Sequence, residues 1–154
     1  MRILVAAFGN ELRRDDGFGI AVLRQLEAAG LGTPDSGVRL LEVGTGGIGL
    51  AQELLDEWDR LIVVDAMRRG SPAGTVCVLR VDDVPEPREV DLHLAVPGRV
   101  LSLAKALGVL PQEIYLVGCE PADVDELSME LSEPVRHAVA TASRQVERLL
   151  EKRT

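Results

Sequence analysis

Strand-like and helix-like patterns alternate along the whole chain, and this alternation leaves few folds open. Ile3–Phe8 is a short, nearly continuous apolar run, as expected of a strand covered on both faces. Asp16–Ala29 reads as a helix, with Asp15 as N-cap, Asp16 in the first turn and Gly30 as the stop. Val22 and Leu26 stand one turn apart on its inner face. Val38–Val43 is a second strand, and the loop Gly44-Thr-Gly-Gly-Ile-Gly49 leads into a helix reaching about Trp58. Leu61–Val64, ending at Asp65, and Thr75–Val81 are strands three and four. Residues 82–96 hold prolines and no periodic pattern, which predicts a long loop. Val100–Leu107 is a helix, Glu113–Val117 a fifth strand, and Ser132 caps a last helix. There Val135, Val139, Ala142, Val146 and Leu149 form one apolar stripe.

The order β-α-β-α-β-β-α-β-α predicts an α/β fold: a three-layer α/β/α sandwich around a five-stranded, mostly parallel, twisted sheet. No helix separates strands three and four, so one edge pair is a candidate for antiparallel pairing. The 154 residues suit one domain, and 46% hydrophobic with 27% charged residues is ordinary for a soluble globular chain. There is no apolar run long enough for a membrane span. The first strand begins at once, leaving no room for a signal peptide, and Cys77 and Cys119 read as buried thiols in a reducing cytoplasm. A net charge of −8 argues against nucleic acid, and 3% aromatics argue against stacking platforms.

The sheet's C-terminal edge is where ligands bind in open α/β folds. Three groups are expected to converge there: Asp16 after strand one, Asp65 at the end of strand three, and His93 in the long loop. Two carboxylates and an imidazole form a donor set for nickel, zinc, manganese or iron, with coordination positions left open. Each residue also has a plainer role: Asp16 at a helix N-terminus, Asp65 capping a loop, His93 solvated. His137, within the last helix, reads as a surface or packing residue. Cys119 lies near the right edge but has no evident basic partner to activate it. The bulk of Ala6-Ala7-Phe8 excludes the glycine fingerprint of dinucleotide binding.

Five fragments, in order, resemble the endopeptidases that mature the large subunit of nickel–iron hydrogenases. They are Phe8-Gly-Asn-Glu-Leu-Arg-Arg-Asp-Asp-Gly-Phe-Gly19, Gly44-Thr45-Gly46, Leu61-Ile-Val-Val-Asp-Ala66, Asp91-Leu-His93 with Leu101-Ser-Leu-Ala, and Val117-Gly-Cys-Glu-Pro121 with Leu131-Ser132. The resemblance implies a five-stranded α/β/α fold and removal of a C-terminal extension from the large-subunit precursor after nickel insertion. It implies a metal triad of Asp16, Asp65 and His93 that senses nickel carried by the precursor, in a monomeric cytoplasmic protein. The chain departs from the family pattern at Ala7, where glycine is common, and at Glu42, where aspartate is common. Two other readings share the outline: a metal-sensing chaperone that binds without cutting, and a receiver-like signalling module with Asp65 as phosphoacceptor. The second lacks the lysine such modules carry after strand five, where Gly118-Cys119-Glu120 stands instead.

Overall fold

In a computed structural model, residues 1–84 and 96–153 are described. The strands are β1 (Ile3–Phe8), β2 (Val38–Gly44), β3 (Arg60–Ala66), β4 (Val76–Arg80) and β5 (Glu113–Cys119). The helices are α1 (Phe18–Ala28), α2 (Ile48–Leu54), α3 (Val96–Ala106) and α4 (Glu133–Glu151), and a 3₁₀ turn spans Arg14–Gly17. The sheet order is β2-β1-β3-β5-β4. All pairs are parallel except β4 with β5. The α/β fold with a five-stranded, mostly parallel sheet is therefore as the sequence predicts, and its antiparallel edge follows from the missing crossover helix. That edge also departs from the parallel sheet of receiver domains.

Two cores lie on opposite faces of the sheet. Ile3, Val5 and Ala7 of β1 and Ile62 and Val64 of β3 pack against α1 and α4. Leu4, Ala6 and Phe8, with Leu61 and Val63, pack against α2 and α3. Successive side chains of a strand point to opposite faces, so a strand covered on both must be apolar throughout. That is why β1 is fully buried while β2, at an edge, is only partly so.

At the sheet's N-terminal end Arg60 is fully buried against Glu113. Its guanidinium donates to both Glu113 carboxylate oxygens at 3.0–3.2 Å and to the Leu149 and Lys152 carbonyls at 2.6 and 2.7 Å. The pair thus satisfies the open carbonyl end of α4. Burial alone would raise the Glu113 pKa; hydrogen bonds from Arg60 and Tyr115 outweigh it and hold the carboxyl below its ordinary value.

Several local expectations need correcting. Helix α1 starts at Phe18, because residues 14–17 wind as a 3₁₀ turn and Arg14 sits at φ +48°. Asp15 is therefore not the N-cap of α1, where Gly17 stands. Helix α2 stops at Leu54, short of Trp58: Glu57 turns to φ +58°, and the Trp58 indole N–H donates to the Glu53 carbonyl at 3.0 Å. Helix α3 begins earlier than predicted, at Val96, with Pro97 in its first turn, where a missing N–H costs nothing. Cys119 is buried, but Cys77, on the edge strand β4, is only half-buried. His137 is exposed on α4. The expected loop at 82–96 falls largely outside the described residues, and His93 with it. No helix among the described residues is long and apolar enough to cross a membrane.

Candidate active site

From β1 the chain turns to one side to form β2, then crosses to the other side to form β3. The C-terminal ends of β1 and β3 are neighbours whose following connections diverge, which opens a crevice at this topological switch point. Asp16 follows β1 and Asp65 lies near the end of β3. Both line one cleft of about 130 Å³, together with Phe8, Gly9, Gly44, Thr45, Val96 and Pro97.

Glycines let the acid-bearing turn sit this close to the sheet. Gly19, in the first turn of α1, lies over the strand ends: a Cβ there would stand 2.5 Å from the Phe8 carbonyl oxygen and 2.7 Å from that of Val64. Gly9 adopts φ +125°, and any side chain at this position would collide with the Asp16 carbonyl. The Asp16 carboxylate is held in turn by the Asn10 backbone N–H, which donates to Oδ2 at 3.0 Å.

The neighbouring acid has a different task. Asp15 is fully buried, and no cation among the described residues pairs with it. Its carboxylate accepts hydrogen bonds from the N–H groups of Ala122 (2.8 Å), Asp123 (3.1 Å) and Ser132 (2.8 Å), and from the Ser132 hydroxyl (2.8 Å). Burial would raise its pKa, but these donors outweigh burial and hold the carboxyl below its ordinary value. Ser132 does occupy the N-cap position of α4, yet its hydroxyl turns to Asp15 rather than into the helix. The Asp15 N–H donates to the Asp123 carbonyl at 3.0 Å, and the Arg14 N–H to that of Ser128 at 2.8 Å. The turn carrying Asp16 is thereby fastened to the segment after β5. The clamp was not foreseen from sequence, although Asp15 and Ser132 belong to two of the recognised fragments. Only their contact reveals it.

A second unforeseen organiser is Glu120, just past β5. Its carboxylate accepts the Arg69 N–H at 2.6 Å and the Gly70 N–H at 2.9 Å, and so shapes the loop leaving β3.

Electrostatically, Asp65 is the unusual group. Burial first, then the charge of Asp16, raises its pKa to about 7. An apolar cavity of about 390 Å³ adjoins it, lined by Val63, Leu101 and Leu116 among others, which accounts for the low polarity on that side. Two carboxylates in one small cleft, one reluctant to ionise because it is buried and, secondarily, because the other is charged, fit a site completed by a cation. Among the described residues no cluster of three or more His, Cys, Asp or Glu side chains forms a ready metal site, and His93 lies outside them. The Cys119 thiol is no rival nucleophile, since burial, with the charge of Asp15, pushes it up to about 11.

The sequence and fold both match known proteins. The HycI hydrogenase maturation protease family matches residues 20–149. The chain is 37% identical over 142 residues to the hydrogenase expression/formation protein HupD of Bradyrhizobium diazoefficiens, covering 90% of this chain and 72% of that protein. Its fold superposes on the hydrogenase maturating endopeptidase HybD from E. coli with a TM-score of 0.82 at 30% identity, covering 98% of this chain and 93% of the other. HybD from Thermococcus kodakarensis, a [NiFe] hydrogenase maturation protease, gives 0.77 at 30% identity, covering 97% and 99%. The chain belongs to the hydrogenase maturation protease family.

Proposed function

We propose that this protease removes the C-terminal extension of a nickel–iron hydrogenase large-subunit precursor once nickel has been inserted, and that Asp16, Asp65 and His93 receive the nickel carried by that precursor. The observation carrying this reading is the acid pair in the switch-point cleft, where burial and Asp16 together raise Asp65 to about 7. Such a pair gains most from a divalent cation: its repulsion is relieved and the Asp65 proton is released. A precursor without nickel brings no charge to relieve it, and so docks poorly. Dependence on inserted metal then follows from electrostatics.

The bound metal contributes Lewis acidity. The chain's own contribution is position. Asn10 fixes the Asp16 carboxylate, and the Asp15 clamp fixes the turn beneath it. A peptide bond held beside them in a near-attack geometry can gain on the order of 7–11 kcal/mol at best. Without a cation, Asp65 keeps its own proton close to neutrality.

The test is the intact mass of nickel-loaded and nickel-free precursor before and after incubation with the pure protein. Loss of the C-terminal extension from the loaded form alone is the expected result. Unchanged mass in a stable complex would favour the non-cutting chaperone.

A further inference from the structure

We infer that the groove between α2 and α3 is the docking track for the precursor's C-terminal extension, lying as an extended peptide with a carboxylate directed at Arg99. This inference rests on the proposed function and assigns its substrate a path.

Four observations carry it. The groove, of about 520 Å³, shares Thr45 and Val96 with the cleft holding Asp16 and Asp65, so a chain emerging from the cleft enters it directly. It displays large apolar side chains to solvent: Ile48 is 71% exposed and Leu103 48% exposed, and both line it. Such a cluster beside a reaction site marks a binding surface. Gly46 forms part of the wall, and nothing in its surroundings explains a glycine. Its φ is not in the left-handed region, and a Cβ there would meet nothing within 4 Å among the described residues. Gly47, by contrast, sits at φ +77° with its Cβ position filled by Val100. A glycine that its own chain does not need suits close approach by another backbone. Finally, Arg99 lines the groove, is exposed, and makes no ion pair or hydrogen bond among the described residues.

The dimensions suit a short tail. At about 1.5 Å per residue, α3 advances roughly 10 Å from Val96 to Leu103. Extended chain covers this in about three residues. Ile48 and Leu103 would take apolar side chains of the extension, and Arg99 a carboxylate.

The experiment measures KM and kcat for nickel-loaded precursor with wild type, Gly46→Val, Arg99→Glu, Asp16→Ala and Asp65→Ala, each checked for folding by circular dichroism. The expected result is that Gly46→Val and Arg99→Glu raise KM roughly tenfold and leave kcat within about twofold, the pattern of lost binding. Arg99→Glu alters only an exposed side chain, so it reports even if Gly46→Val is misfolded. Unchanged KM in the groove variants, or a loss in kcat alone, overturns the track; cleavage abolished by Asp16→Ala and Asp65→Ala would then leave the proposed function standing. No cleavage by wild type overturns both.

Discussion

The carboxylate of Asp15 accepts both the backbone N–H and the hydroxyl of Ser132, each at 2.8 Å, and so locks the turn bearing Asp16 onto the start of α4. Adjacent acids thus divide the work: Asp15 holds from beneath, and Asp16 faces the cleft.

Removing this clamp should cost more than any one hydrogen bond, because Asp15→Ala strands several donors beside a cavity. A loss on the order of 3 kcal/mol or more is expected in denaturant unfolding, with Asp15→Asn less damaging. Because the folded carboxyl lies below its ordinary value, its contribution is complete above the unfolded value near 4 and is lost as pH falls through the folded value. The stability gap between wild type and Asp15→Asn should narrow at acid pH.

Asp65 carries the opposite sign. The folded state holds its proton more tightly than the unfolded chain, so its contribution to stability falls as pH rises from about 4 to about 7 and is constant beyond. Asp65→Asn should remove this slope and be more stable than wild type at pH 8, by up to a few kcal/mol. It should also lose cleavage. Asp16→Asn should lower the Asp65 pKa only in part, since burial is the larger cause. Melting temperatures from pH 4 to 9 and carboxyl NMR titration measure both effects.

Gly9→Ala should abolish cleavage while a comparable change at an open glycine is tolerated. The new methyl would collide with the Asp16 carbonyl at a φ that L residues rarely adopt. At Gly98, in α3, a Cβ meets nothing within 4 Å among the described residues, and alanine there should raise the melting temperature through helix propensity.

At the far end of the sheet, Arg60→Ala should destabilise by about 3–5 kcal/mol, leaving Glu113 buried without its partner. The fraction that remains folded should cleave at the wild-type rate, because the pair lies at the strand ends opposite the cleft.

The fold was legible because burial on both faces writes itself into β1 and β3 as unbroken apolar runs, and because the absent helix between β3 and β4 announces the antiparallel edge. That Asp16 and Asp65 line one cleft was legible because the segments leaving neighbouring strand ends meet at the switch point in such sheets. The Asp15–Ser132 clamp and the Glu120 loop anchor were not, since each depends on contacts between segments remote in sequence. Helix ends depart from the apolar pattern where the chain turns locally, as after Leu54, where Glu57 takes a positive φ and the Trp58 indole donates back to the Glu53 carbonyl.

The most direct test of the central claim is the initial rate of precursor cleavage, followed by intact mass, for wild type against folded Asp16→Asn and Asp65→Asn on the same nickel-loaded precursor. The account predicts that each variant cleaves at least about a hundredfold more slowly, as for groups acting at the reacting centre. Cleavage by both variants at close to the wild-type rate would contradict it.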